Sequence, residues 1–140
     1  MEAVTQVKAV AGMGLEGDRY YLRRGTYAEK GRPWRPDREM TLIEEEAVVS
    51  ANRDYDLEAT PGEIRRNVVT RGIALNHLVG KEFRIGKARF LGVQLCEPCA
   101  HMEALVGKPG VRKALVHRGG LNAQILEDGL IRVGDAVHVG

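Results

Sequence analysis

The sequence has few cysteines, little net charge and no long apolar run. Two cysteines among 140 residues are too few for the disulfide framework of a small secreted domain. The formal net charge of +2 gives no argument for nucleic acid or a membrane surface as a partner. No segment has the apolar length of a signal peptide or a membrane span. We therefore expect a protein of the reducing cytoplasm that binds neither nucleic acid nor membrane.

The length and composition favour a single domain over residues 1–140. Hydrophobic residues make up 44% and charged residues 29%, as in ordinary globular proteins. A chain of this length can build one core but not two ordinary domains. Seventeen glycines indicate many turns. About seven or eight short strands against three or four short helices predict an all-β or α+β domain built on a closed or nearly closed barrel.

Hydrophobic periodicity places the main elements, because alternation indicates strands and i, i+3, i+4 spacing indicates helices. The predicted strands are Glu2–Val10, Met40–Ile43, Glu63–Arg71, Lys81–Ile85, Ala88–Leu95 and a meander over Leu121–Val139. The predicted helices are Glu44–Tyr55, one turn around Leu75–Val79, and Val111–Val116. Gly86–Lys87 has the form of a two-residue hairpin turn. The acidic run Glu44–Glu46 suits the helix dipole and is interpreted as capping.

The most informative stretch is RFLGVQLCEPCAHMEALV, residues 89–106. A strand pattern ends at Leu95, and apolar residues recur at helical spacing after Cys99. Cys99 thus follows Pro98 at a strand-to-helix junction, where unpaired N–H groups and the helix dipole favour the thiolate. We predict that Cys99 is a nucleophile or a soft-metal ligand, with a buried structural cysteine as the alternative.

Several polar clusters lie in turns or at strand ends, where a barrel opens. Guanidinium groups hold phosphate or carboxylate in forked geometry, so the arginines among them suit an anionic ligand. We predict that these clusters converge near Cys99 and bind an anionic ligand there. Their members are Asp18, Arg19, Arg66, Asn67, Arg71, His117, Arg118 and Gly119.

Five segments follow one another over nearly the whole chain. They are GLEGDRYY at 14–21, MTLIEEEAV at 40–48, PGEIRRNVVTRGIALNHLVG at 61–80, CEPC with a short helix at 96–106, and HRGGLNAQILEDGLIRVGDAV at 117–137. Together they resemble the MOSC domain, a family named for the C-terminal domain of molybdenum-cofactor sulfurases. The resemblance implies a stand-alone MOSC-like β-barrel with a few short helices.

The resemblance also implies a role for Cys99. In this family the cysteine after the proline is proposed to carry sulfur as a persulfide, or to bind molybdenum in members that keep the cofactor. A thiolate suits both roles, because it is soft and takes sulfane sulfur from a donor. The implied partners are a cysteine-desulfurase-type sulfur donor or the pterin cofactor, whose phosphate the arginines would bind. We expect a monomer or weak dimer.

We expect no pyridoxal phosphate on this chain. Fused relatives carry that cofactor in a separate desulfurase domain, which 140 residues cannot also include. No lysine here stands in a recognisable Schiff-base motif.

Three other interpretations are open. CEPC between strand and helix is locally like the dithiol of thioredoxin-type oxidoreductases, although a βαβ pattern is missing from the predicted elements. Cys96, Cys99 and His101 with His77 or His117 would form a structural zinc site, for which one C-x-x-C pair is a weak signal. The arginine loops would also suit a non-catalytic anion- or cofactor-binding module. Cys96 itself either resolves a persulfide or fills space.

Overall fold

The fold consists mostly of short strands. The computed structural model describes residues 6–15, 39–59, 66–96, 107 and 110–139. Its strands are β1 (Gln6–Val10), β2 (Gly14–Leu15), β3 (Met40–Glu44), β4 (Val68–Thr70), β5 (Glu82–Ile85), β6 (Ala88–Leu95), β7 (Leu121–Glu127), β8 (Gly129–Arg132) and β9 (Val137–Val139). Its helices are α1 (Glu45–Tyr55), a 3-10 helix (Leu75–Leu78) and α2 (Val111–Ala114). No helix in this described part has the length and apolarity needed to cross a membrane.

The predicted elements are present where they can be compared, although several are shorter than predicted. Helix α1 begins one residue late, because Glu44 still pairs with Thr70 in the sheet. Helix α2 ends two residues early. The Gly86–Lys87 hairpin is confirmed, because the residues on either side of it pair. Strand β4 covers three residues of the predicted strand Glu63–Arg71, whose first three residues lie outside the described ranges.

The strands form two sheets. A six-stranded sheet in the order β4-β3-β7-β6-β5-β9 curls into a half-barrel, and a three-stranded sheet has the order β2-β1-β8. The predicted mostly-β fold with a few short helices is therefore confirmed. One detail differs: the chain turns at Asp128 after β7, and β8 then pairs with β1. Of the strands in the Leu121–Val139 meander, only β7 and β9 join the large sheet.

The two sheets share one hydrophobic core. Its residues alternate along each strand, as expected when one face of a sheet is buried. Phe83 and Phe90 stack across the β5–β6 hairpin with ring centroids 5.4 Å apart. The core also contains Ala9, Leu15, Met40, Leu42, Leu75, Leu78, Ile85, Ala88, Leu121, Ala123, Ile125 and Ile131. Because β1, β2 and β8 contribute to it, burial of this core holds the small sheet against the half-barrel.

Strand β3 is buried on both faces. Leu42 points into the shared core, whereas Ile43 packs in a second core with Val48 of α1 and Leu115 after α2. The continuous apolar run in MTLI is typical of a strand covered on both sides. Helix α1 is the crossover that lets β4 pair parallel to β3. A βαβ unit is therefore present, and its predicted absence was wrong because the helical crossover is short and the second strand has only three residues.

The acidic run 44–46 lies at the start of α1 and also binds a neighbouring segment. Glu45 and Glu46 are in the first turn, as the dipole argument predicts, and the Glu46 carboxylate accepts its own N–H. Glu44 occupies the N-cap position but makes no side-chain capping bond. The three carboxylates contact residues 71–75, which follow β4: Glu44 the Leu75 N–H, Glu45 the Arg71 guanidinium at 2.7 Å, and Glu46 the Gly72 N–H at 2.7 Å. The capping interpretation therefore does not hold for Glu44, and the run also connects the two ends of the βαβ unit.

A buried carboxylate connects the two sheets. Glu39 is 1% exposed, and its two oxygens accept the N–H groups of Gly12 at 3.1 Å and Ile125 at 3.2 Å. Gly12 lies in the β1–β2 turn, and Ile125 is in β7 beyond its last pairing with β3. Burial raises the pKa of the Glu39 carboxyl above its usual value, and the two N–H groups oppose that rise.

Candidate functional site

The chain approaches Cys99 from the end of β6. Cys96 is a buried free cysteine whose N–H donates to the Gly120 carbonyl at 2.8 Å. This bond extends the β6–β7 ladder by one step beyond Leu95. Cys99 and the predicted helix after it lie outside the described residues, as do Asp18 and Arg19. The described part of the site is therefore the base from which residues 97–106 depart.

Arg66 holds that base together. Its side chain is 8% exposed, and its Nε donates to the Gly119 carbonyl at 2.7 Å. One terminal nitrogen donates to the Cys96 carbonyl at 3.0 Å. Hydrogen bonds from a charged donor are roughly twice as strong as neutral ones, and a buried guanidinium requires such acceptors. Arg66 thus joins the last residue before the Cys99 loop to the turn that precedes β7.

That turn, residues 117–120 (the HRGG corner), is connected to three other elements. His117 is exposed and adopts φ 63°, and its carbonyl accepts from Asn76 Nδ2 at 2.9 Å. Arg118 Nε donates to the Ala114 carbonyl in α2 at 2.7 Å. Its guanidinium also lies 3.5 Å from an Asp54 carboxylate oxygen of α1. The corner is therefore a junction packed against these three elements.

Gly120 shows why the corner needs a glycine. Its φ is +115°, which L side chains rarely adopt, and an added Cβ would collide with the Leu42 carbonyl of β3. The absence of a side chain lets the corner lie against β3 while Gly120 still accepts the Cys96 N–H. Position 120 thus sets the distance between β3, β7 and the end of β6.

Asn67 belongs to a row of four polar residues that crosses the sheet, which we call the polar row: Asn67, Thr41, Asn122 and Gln94. Thr41 pairs with Asn122 across β3 and β7, and Asn122 pairs with Gln94 across β7 and β6. The Thr41 hydroxyl donates to Asn67 Oδ1 at 3.0 Å and accepts the Asn67 N–H at 2.9 Å. Asn67 therefore fixes the entry of β4 against β3.

The polar row lies close to Cys96, the last described residue before Cys99. Gln94 and Asn122 pair with each other two positions before the bond between Cys96 and Gly120. Thr41 is 5% exposed and Asn122 is 2% exposed. Asn122 Oδ1 has no hydrogen-bond partner among the described residues. A buried acceptor without a donor among the described residues thus lies two ladder positions from the Cys96–Gly120 bond.

The structure brings together some of the predicted site residues. Arg66 and Gly119 meet at Cys96, and His117 and Arg118 belong to the adjoining corner. Arg71 does not contact this group; it is exposed and binds Glu45. The convergence of the full set on Cys99 stays a prediction, because Cys99, Asp18 and Arg19 are outside the described residues.

Sequence reasoning missed Thr41, Asn122 and Gln94. The available signal was a polar residue inside an apolar strand, in MTLI and again in LNAQIL. A strand pattern shows that such a residue shares a face with its i±2 neighbours, but not which residue lies opposite on the next strand. The polar row depends on that pairing.

The described arginines of the predicted site each bind the protein itself. Arg66, Arg71 and Arg118 donate to a protein carbonyl or carboxylate. Within the described ranges, no three His, Cys, Asp or Glu residues come close enough to hold a metal ion. Cys99, the predicted molybdenum ligand, lies outside these ranges, so its role stays a prediction.

Solved structures share this fold. The YUAD protein from Bacillus subtilis superposes with a TM-score of 0.76 at 17% identity, covering 97% of this chain and 85% of that one. YiiM from Escherichia coli superposes with a TM-score of 0.72 at 19% identity, covering 98% of this chain and 63% of that one. YiiM from Geobacillus stearothermophilus superposes with a TM-score of 0.66 at 20% identity, covering 75% of this chain and 55% of that one. The chain spans less than two thirds of either YiiM chain, and at these identities the likeness concerns the fold alone.

The family is identified by its sequence pattern. No curated protein matches the chain. The MOSC domain model matches residues 26–138, which is most of the sequence. MOSC domains are associated with molybdenum-cofactor-related binding. The half-barrel, with its HRGG corner beside the end of β6, therefore belongs to a member of the MOSC domain family.

Proposed function

We propose that this protein binds the molybdenum cofactor or carries sulfur as a persulfide, with Cys99 as the reactive thiol in either case. The supporting observation is the anchor made by Arg66, which binds the carbonyls of Cys96 and Gly119. The anchor fixes the chain three residues before Cys99. A reactive group needs such a rigid base, because small displacements of a nucleophile cost much of its rate.

The persulfide step is an exchange without net oxidation. The Cys99 thiolate attacks the terminal sulfur of a donor persulfide, R–S–SH. A new S–S bond forms at Cys99, the donor S–S bond breaks, and the donor leaves as the thiolate RS⁻. The proton on the terminal sulfur moves with it, so the product is Cys99–S–SH. A cysteine-desulfurase-type protein of the cytoplasm is the donor we propose.

The residues that contact Cys96 and the start of β4 have positioning roles in this proposal. Arg66 and the Gly120–Cys96 bond hold the loop base, and Asn67 holds the entry of β4 beside it. When bound, the cofactor supplies a molybdenum centre for which a thiolate is a suitable ligand. Cys96 forms part of the anchor through its main chain and is not required as a second thiol.

The test compares Cys99→Ser with Cys96→Ser as the matched control. Each variant is incubated with a low-molecular-weight persulfide, and added sulfur is located by peptide mass. Wild-type protein isolated from its own cells is examined for bound pterin and for sulfur on either cysteine. We expect Cys96→Ser to keep sulfur loading and rapid alkylation at pH 7, and Cys99→Ser to lose both. If Cys96 is the faster thiol, or both variants lose loading equally, the dithiol interpretation replaces this one.

A further inference from the structure

Strand β9 forms one edge of the six-stranded sheet, and its outer side is open. Among the described strands it pairs with β5 alone, from Val137 opposite Ile85 to Val139 opposite Phe83. An edge strand keeps unpaired N–H and C=O groups along its outer side, and these groups can pair with a further strand. The open side of β9 thus offers main-chain hydrogen bonds to an extended segment of another chain.

The outer face of this edge carries a cation without a counter-ion. Arg84 lies opposite His138 of β9 on one side and opposite Arg89 of β6 on the other. Arg89 is neutralised by Glu127 at 2.6 Å, with Glu82 at 3.6 Å. The side chains of Arg84 and His138 are exposed, and neither makes a hydrogen bond or ion pair within the described ranges. Because like charges on facing strands repel each other, an acidic group beside Arg84 would be stabilising.

The inner face of the same edge is apolar. Phe83 pairs with Phe90 on one side and with Val139 on the other, so the three side chains share a face. The two phenylalanines are fully buried, whereas Val139 is 55% exposed at the end of the row. A strand added beside β9 would cover Val139 with an inward side chain of its own. The edge therefore suits a strand that is apolar on one face and acidic on the other.

We propose that the open side of β9 binds an extended acidic segment of a partner protein. Alternate apolar residues of that segment cover Val139, and its carboxylates bind Arg84 and His138. Charge decides against a second copy of this chain as the occupant. Antiparallel pairing of two β9 strands centred on His138 would set two imidazoles opposite each other and align two rows of cations end to end. Arg84 pairs near the start of β6 and Cys96 follows its end, so this surface does not depend on the role of Cys99.

Two labelled peptides of about six residues test the proposal, one alternating valine with glutamate and one alternating valine with glutamine. Wild-type protein should bind the glutamate peptide roughly two- to fivefold more tightly, the effect of one exposed ion pair. Arg84→Gln should lose this preference with an unchanged thermal midpoint, and Arg84→Lys should keep the preference. Arg53→Gln is the matched control, because it removes the same charge from an exposed position in α1, and it should also keep the preference.

Main-chain pairing is tested with two N-methylated forms of the glutamate peptide, methylated on the valines or on the glutamates. Each form blocks one set of alternate N–H groups, so one should lose binding and the other should keep it. If the two forms bind alike, or Arg84→Gln keeps the preference, or wild-type protein shows none, the inference is wrong. A DNA duplex that displaces the peptide and binds more tightly through Arg84 would make the partner a nucleic acid instead. Self-association of the wild type that the peptide disperses would make it a second copy.

Discussion

Arg66 and Gly119 are 53 positions apart in the sequence, yet the Arg66 guanidinium donates to the Gly119 carbonyl at 2.7 Å. The same side chain binds the Cys96 carbonyl from a third region of the chain. One buried cation thus joins the entry of β4, the end of β6 and the start of β7. This connection gives the first two predictions.

Replacement of Arg66 should destabilise the protein strongly. Arg66→Met keeps much of the apolar stem but leaves the carbonyls of Cys96 and Gly119 without their charged donor, for which we expect a loss of about 2–5 kcal/mol. Arg71→Met is the control, because Arg71 is exposed and its ion pair with Glu45 is screened by solvent. Urea unfolding of the three proteins measures the difference. Equal losses in the two variants would show that Arg66 is not an anchor.

Gly120→Ala should be among the most damaging glycine substitutions. The added methyl group would collide with the Leu42 carbonyl and would also require φ +115° of an L residue. We expect a loss of at least about 3 kcal/mol or failure to fold. Gly134→Ala has a similar positive φ of +97° but nothing within 4 Å of the new Cβ, so it should cost only about 1–2 kcal/mol. Thermal unfolding of both variants separates crowding from backbone strain, and similar midpoints would contradict the prediction.

Glu39→Gln should change how stability depends on pH. Burial raises the pKa of Glu39 above its usual 4.5 in the folded state. The favourable contribution of the protonated carboxyl is therefore complete below the unfolded pKa and is lost as pH rises through the folded pKa. The difference in unfolding free energy, wild type minus Glu39→Gln, should fall as pH increases from about 4. A difference that is constant from pH 4 to 8 would show that Glu39 titrates normally.

Glu46→Gln should give a pH dependence of opposite sign. The Gly72 N–H lowers the pKa of Glu46 below 4.5. The contribution of this carboxylate is present above the unfolded pKa and is lost as pH falls through the lower folded pKa. The difference between wild type and Glu46→Gln should therefore be constant near neutrality and shrink in acid. Acid unfolding curves of the two proteins measure it, and a difference that grows in acid would contradict the assignment.

Local patterns predicted most of the fold. The Gly86–Lys87 turn, the apolar alternation around it and the helical period after Glu44 each depend on residues close in sequence. The parallel pairing of β3 with β4 was not predicted, because three residues of β4 have too little periodicity to indicate a partner. Pairing register is set by contacts between distant segments, which single-sequence periodicity does not contain.

The sequence indicated which residues belong to the candidate site, but it did not indicate which partners they bind. Arg66, Asn67 and the HRGG corner were chosen because arginines and glycines cluster in turns. Their bonds to main-chain carbonyls and to Thr41 depend on how β3, β6 and β7 align. The sequence marks Asn122 only as a polar residue inside an apolar strand, and its unpaired oxygen appears only when the strands are assembled.

The acceptors of the Arg66 anchor are main-chain oxygens, and this makes the anchor indifferent to the side chain at position 96. A serine at Cys96 leaves the carbonyl, the ladder bond to Gly120 and the path toward Cys99 in place. Substitution at position 96 should therefore disturb the anchor less than substitution at position 66. The thiol at position 96 can thus be changed without changing the main-chain scaffold that Arg66 holds.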